Sequence, residues 1–157
     1  MDLNKILESQ YLAALAMFKQ AVVHCPPSLW DAPQDTFKFW SKSYHVLYFV
    51  HLYLQSAEKD FVPWVKHHDP DGDIPFTKDE VLEYLTVVEQ EVVKRIPITD
   101  LEAESGFDWY PVNKLELQFI NIRHIQQHTG ELYEYLGIHE SIELGWVGFS
   151  RALKEKE

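Results

Sequence analysis

One cysteine, Cys25, stands among 157 residues. A lone thiol cannot form an internal disulfide, and the chain has no paired-cysteine zinc motif. The expected setting is therefore reducing and cytoplasmic. Basic residues are scarce as well: 14 Lys and Arg face 25 Asp and Glu, for a net charge of −11. Nucleic-acid binding depends on neutralising phosphates with Lys and Arg. With no basic cluster, neither nucleic acid nor an anionic membrane surface is expected as a partner. Long apolar runs are missing too. The most apolar stretch, YHVLYFVHLYL (44–54), carries two histidines and falls short of the roughly 20 residues a membrane span needs. The first residues, MDLNKILESQYLAALAMFKQ, lack the basic start and continuous apolar segment of a secretory signal.

What the chain does contain is apolar and aromatic. Hydrophobic residues make up 46% and aromatics 14%, which places it among globular domains rather than disordered ones. Leu7, Tyr11, Leu15, Phe18 and Val22 recur at helical spacing and predict a helix over Leu3–His24, closed by Pro26 and Pro27. A second helix is expected over 37–56, apolar on almost every side and so mostly buried. The connector AEKDFVPWVKHHDPDGDIPF (57–76) has three prolines and no helical period. Thr77 and Glu80 then form a T-x-x-E capping box, and Val81, Leu85, Val88, Val92 and Ile96 mark one face of a third helix that ends at Pro97. A fourth is expected over 113–136, with Gly137 as its left-handed C-cap. The tail from Ile138 reads as irregular, apart from a terminal turn near FSRALKEK (149–156). The expectation is an all-α four-helix bundle, one domain over 1–157, ordered up-down-down-up with a long crossover between helices two and three.

Chemistry points to the histidines. The stretch NIRHIQQHTGELYEYLG (121–137) puts His124 and His128 four residues apart, on one helix face and about 6 Å from each other. Leu117, Ile120, Leu132 and Tyr135 lie on or beside the same stripe, so it faces inward. This pair fits two readings: chelation of a metal, or two partly buried, hydrogen-bonded imidazoles. The second helix offers His45 and His51. Six residues turn a helix by about 240°, so only one of the two can join the pair. Glu131, near the same stripe, can orient a ligand histidine, act as a general base, or be a solvated carboxylate.

Other candidates are weaker. Asp69, Asp71, Asp73 and Glu80 match EF-hand positions 1, 3, 5 and 12, but Ile74 stands where that loop needs glycine; a solvated acidic turn is the better reading. His67 and His68 are expected as exposed loop histidines. Cys25 has no neighbour in sequence that would activate it. Trp109, Tyr110 and Trp146 fit a pocket rim, core packing or a dimer contact.

The segments YHVLYFVHLYLQS and LELQFINIRHIQQHTGELYEYL together resemble the DinB superfamily of metal-binding four-helix bundles, over most of the chain. That resemblance implies a metal site made by His45 from the second helix and by His124 and His128 from the H-x-x-x-H core HIQQHTGEL. Glu131 replaces a frequent glutamine, and Gln127 stands where many members carry a further histidine. Three neutral imidazoles suit a divalent transition metal, zinc or nickel foremost, and leave positions open for chemistry. The resemblance further implies a metal-dependent enzyme acting on a small molecule. The expected type is a transferase using a low-molecular-weight thiol; the alternatives are a metal-dependent hydrolase or a non-catalytic stress-response module. It also implies pairing through helix faces. Trp30, Trp64 and Trp146 fall outside the expected helices, and exposed aromatics would suit a homodimer contact.

Overall fold

The computed structural model describes residues 1–36, 38–70, 72 and 74–150. Among these are five α-helices and no strand beyond an isolated bridge between Glu104 and Asn113. Helix α1 spans Leu3–His24 and starts where the Asp2 side chain accepts the Lys5 amide, meeting one of the donors a helix start leaves open. The single turn α2, Pro27–Trp30, begins with a proline, whose fixed φ suits a first helical position. Helix α3 covers Phe39–Tyr53, shorter at both ends than its apolar pattern suggests. Helix α4, Lys78–Arg95, starts at the expected capping box, with the Thr77 and Glu80 side chains each taking the other's backbone amide. Helix α5, Lys114–Glu140, is capped by Asn113, which accepts the Glu116 amide at 2.9 Å.

The end of α5 corrects one expectation. Gly137 is not the cap: the helix continues one turn and closes at Ser141, whose φ is 54°. The Ser141 amide reaches back to the carbonyls of Leu136 and Gly137. Across the added turn Tyr135 and His139 pack ring to ring at 4.3 Å, a contact the i,i+4 spacing makes available. The tail after Ser141 has no regular structure through residue 150. The turn expected near FSRALKEK lies mostly outside the described residues, as does Phe37 at the expected start of the second helix.

Helix α1 packs against α4 and α5, and α3 packs against the same two. Tyr11 donates to Gln118 and Tyr133 to the Met17 carbonyl, so contacts along α1 and α5 advance together. Contacts between α3 and α5 run the opposite way, from Asn121 at Val50 to Glu131 at Lys42. One large core joins these faces, with Tyr11, Phe18, Tyr44, Leu47, Tyr84, Leu85 and Ile125 fully enclosed.

Two tryptophans expected outside the core belong to it. Trp30 is buried and donates to the Phe76 carbonyl at 2.8 Å. Trp64 is buried and stacks on Tyr84 at 4.8 Å and 4°. Both connectors fold back over the helices, so position outside a helix did not mean exposure. Trp146 and Phe149, at 75% and 70% exposed, are the aromatics that face solvent most, ahead of Phe119 and Trp109. Among the described residues no helix is long and apolar enough to cross a membrane.

The connector between α4 and α5 is fastened to the end of α3. Gly106, at φ 83°, lies so close to Ser56 that a Cβ would meet its carbonyl oxygen at 2.2 Å; only glycine fits. Lys114 is buried beside it and donates to the carbonyls of Gln55 (2.9 Å), Ser56 (2.7 Å) and Ser105 (2.5 Å). A buried ammonium is tolerated because all three of its protons are used. Lys114→Met keeps the length but strands three carbonyls, so it should cost roughly 2–4 kcal/mol of unfolding free energy. Urea denaturation at neutral pH measures this; an unchanged midpoint would show the cage to be dispensable.

Candidate metal centre

His45 sits in the middle of α3, among the side chains that α3 presents to α5. His124 and His128 project from α5 one turn apart. The antiparallel packing of these two helices brings the three together. The Nε2 atoms of His45 and His124 face each other at 3.0 Å. Ring centroids lie 5.0 Å apart for His45 and His124, 4.9 Å for His45 and His128, and 4.5 Å for His124 and His128. Each side chain offers one nitrogen, and the three atoms lie within 4.8 Å of one another. Among the described residues no other group of His, Cys, Asp and Glu is placed to hold a metal ion.

The donor set suits such an ion. Nitrogens at about 2.0–2.1 Å from a tetrahedral or octahedral centre stand about 3 Å apart, the separation seen between His45 and His124. His128 donates through Nδ1 to Glu131 at 2.8 Å, which leaves its Nε2 for the shared point. A carboxylate on the far nitrogen fixes the ring's tautomer and orientation. His124 differs: its Nδ1 is buried with no hydrogen-bond partner among the described residues.

Electrostatics keep the site neutral. Burial, then the neighbouring His128, hold His45 down at about 4. The same two causes, with His45 added, hold His124 at about 4. Both offer lone pairs at neutral pH, the state a metal requires. Glu131 is in the opposite condition. Partial burial works against its charge, but the hydrogen bonds from His128 and Lys42 outweigh this and hold the carboxyl at about 2. Lys42 Nζ lies 2.9 Å from Glu131. A carboxylate so stabilised accepts a proton poorly, so the geometry favours orientation over general-base work.

The remaining candidates fall elsewhere. His51 is buried on another face of α3 and bonds the Tyr84 hydroxyl at 3.0 Å, the placement its offset from His45 requires. His67 and His68 are half-buried rather than exposed. His67 Nδ1 bonds the Tyr44 hydroxyl at 2.6 Å, and His68 stacks on Phe76 at 3.7 Å. Nothing in their loop sequence signals this, because the partners are remote in the chain. Cys25 is buried, and burial pushes its thiol up to about 12, so it is no nucleophile at neutral pH. Of the acidic loop, Glu80 is committed to the Thr77 cap, while Asp71 and Asp73 lie outside the described residues. Trp109 donates to the Tyr53 hydroxyl at 3.1 Å and Tyr110 lines a cleft of about 520 Å³ in the α4–α5 connector, which none of the three histidines lines. Lys42 and Tyr44 had no sequence signal; their roles arise from packing alone.

No family model matches the chain, and no curated protein or solved structure matches it either.

The depressed histidines make the metal-free protein pH-sensitive. In the unfolded chain an imidazole takes its proton near 6.5, whereas folded His45 and His124 resist it down to about 4. Between those values the unfolded state binds more protons, so stability is complete above about 6.5 and falls as pH drops towards 4. His51 and His67, also held low by burial, add to the same slope. Urea midpoints of the chelator-treated protein should fall between pH 7.5 and pH 5, and less steeply in His124→Gln. An identical slope in that variant would remove the cluster as a cause.

Proposed function

We propose that this chain is a DinB-like divalent-metal protein and that His45, His124 and His128 are its metal ligands, with a metal-dependent transferase using a low-molecular-weight thiol as the preferred activity. The single observation that carries this is the convergence of three imidazole nitrogens within 4.8 Å from two helices. The bundle belongs to the same proposal: α1, α3, α4 and α5 in up-down-down-up order, with 54–77 as the crossover. The pairing of each helix with two others supports it, as does the sense in which the contacts advance.

In this reading the chain's residues have separate tasks. His45, His124 and His128 bind the ion through ring nitrogens, and burial keeps His45 and His124 neutral. Zinc or nickel, when bound, supplies Lewis acidity that favours the thiolate of a coordinated thiol at neutral pH. Glu131 holds His128 through Nδ1, and Lys42 holds Glu131. Phe49, with its ring 4.8 Å from His45 and 5.7 Å from His124, keeps one side of the cluster dry. Three protein ligands leave room for a reactant, which favours a catalytic site over a closed structural one.

The protein is further proposed to act in the cytoplasm as a homodimer with separate sites, since one chain supplies all three histidines. The exposed Trp146 and Phe149 support a contact surface; light scattering at micromolar concentration should give twice the chain mass, and a monomer refutes it.

The metal is tested on protein purified without an affinity tag. Elemental analysis and calorimetric titration with zinc and nickel should give one ion per chain. His124→Ala and His128→Ala should each abolish it, while His51→Ala keeps it. Glu131→Gln should weaken binding by roughly 10–100-fold. Stoichiometric metal in His124→Ala would end the assignment.

A further inference from the structure

A cleft of about 330 Å³ opens directly beside the histidine cluster, and His45 is part of its wall. Tyr44, Tyr48 and Phe49 of α3 line it from one side. His67 and Pro70, from the connector between α3 and α4, complete the lining. Among the described residues no Lys, Arg, Asp or Glu lines it, although the chain as a whole is strongly charged. The contrast with the far side of the cluster is sharp. There a second cleft of about 410 Å³ is lined by Lys42, Glu131, Glu134 and Tyr135.

The connector wall is built, not draped. Trp64 is anchored on Tyr84 by stacking, and the His67 amide donates to the Trp64 carbonyl at 2.8 Å. The His67 ring lies 20° from parallel with Tyr44 at 5.8 Å and 5.3 Å from the Tyr48 ring. Its Nδ1 is engaged by the Tyr44 hydroxyl at 2.6 Å. Tyr44 is itself held by Phe76, stacked at 3.8 Å and 3°. Trp64 and Phe76 thus hold this wall from outside the cleft, and among the described residues Nε2 of His67 has no hydrogen-bond partner.

We propose that this cleft is the binding site for the substrate's reacting portion, that it takes a small, neutral, aromatic group, and that His67 selects for a polar substituent on it. This rests on the function proposed above. The volume is at the small end for a ligand site, which suits one ring with short substituents. The half-buried rings of Tyr48, Phe49 and His67 along the cleft suit a planar guest through stacking and edge contacts. Away from the metal ligands no Lys or Arg among the described residues lines the cleft, so an anionic substituent there would lose its hydration without return. A wall whose polar atom expects a hydrogen bond rejects the analogue that lacks the partner more strongly than a plain apolar wall does.

The test uses benzyl alcohol, toluene, benzoate and cyclohexylmethanol as probes of the full-length protein, followed by amide chemical shifts. Benzyl alcohol should bind saturably, with shifts centred on Tyr48, Phe49 and His67, and about tenfold tighter than either benzoate or cyclohexylmethanol. Tyr48→Leu should weaken it by about tenfold. His67→Phe keeps a ring in the wall and should abolish the preference for benzyl alcohol over toluene; melting curves confirm that both variants are folded. Shifts centred elsewhere, no saturable binding, tighter binding of benzoate, or an unchanged preference in His67→Phe overturns the proposal. Metal content is measured on the same samples. Probe binding without metal uptake would remove the metal function and leave the cleft, whereas metal uptake without probe binding would remove the cleft alone.

Discussion

His45 and His124 point their Nε2 atoms at the same spot from two different helices, 3.0 Å apart, and that meeting constrains what surrounds it. Two partly buried imidazoles cannot both be charged so close together, so the neighbourhood must keep them neutral. It does so by enclosure: Phe49 packs beside both rings. The third histidine, His128, is tied outward to Glu131, and the resulting chain Lys42–Glu131–His128 places the nearest full charges behind the cluster rather than in it. The site is thus soft and nitrogen-rich at its centre and ionic only on its far side.

Tyr44 links this site to the rest of the fold. Its ring stacks on Phe76 and lies against Tyr84, while its hydroxyl engages His67. Phe76 comes just before α4, and Tyr84 lies within it, so one side chain of α3 gathers the connector and the next helix. A connector of more than twenty residues would ordinarily be mobile. Here Trp64, His67, His68 and Phe76 each pack on an aromatic partner, and the segment becomes one wall of the cleft beside His45.

At the other end of α3 the same problem is solved with charge. Just past the end of α3 the carbonyls of Gln55 and Ser56 lie outside the helix, and Lys114 enters from the start of α5 to supply their donor. Burial lowers its pKa, yet the three carbonyls retain the ammonium. One end of α3 thus carries an ionic latch to α5, and its middle carries the histidine contact. Both fix the register of the two helices on which the cluster depends.

Much of this was legible in the chain. The apolar periods of α1 and α4, the Thr77–Glu80 box and the stop at the prolines are local, and local chemistry decides them. The pairing of His124 with His128 follows from helix geometry alone, and so does the separation of His51 from His45. Sequence could not choose between His45 and His51 as the third partner without the family resemblance, because that choice depends on which face of α3 meets α5. It misplaced Trp30 and Trp64 for a related reason: exposure is a property of what folds over a residue, not of the segment it sits in. The extension of α5 past Gly137, the orientation of His128 by Glu131 and the enclosure of His67 all arise from contacts between residues close in space, several of them distant in the chain. Helical periods are short-range, whereas the three-histidine point, its neutral lining and the cleft beside it exist only once α3, α5 and the connector between α3 and α4 are packed together.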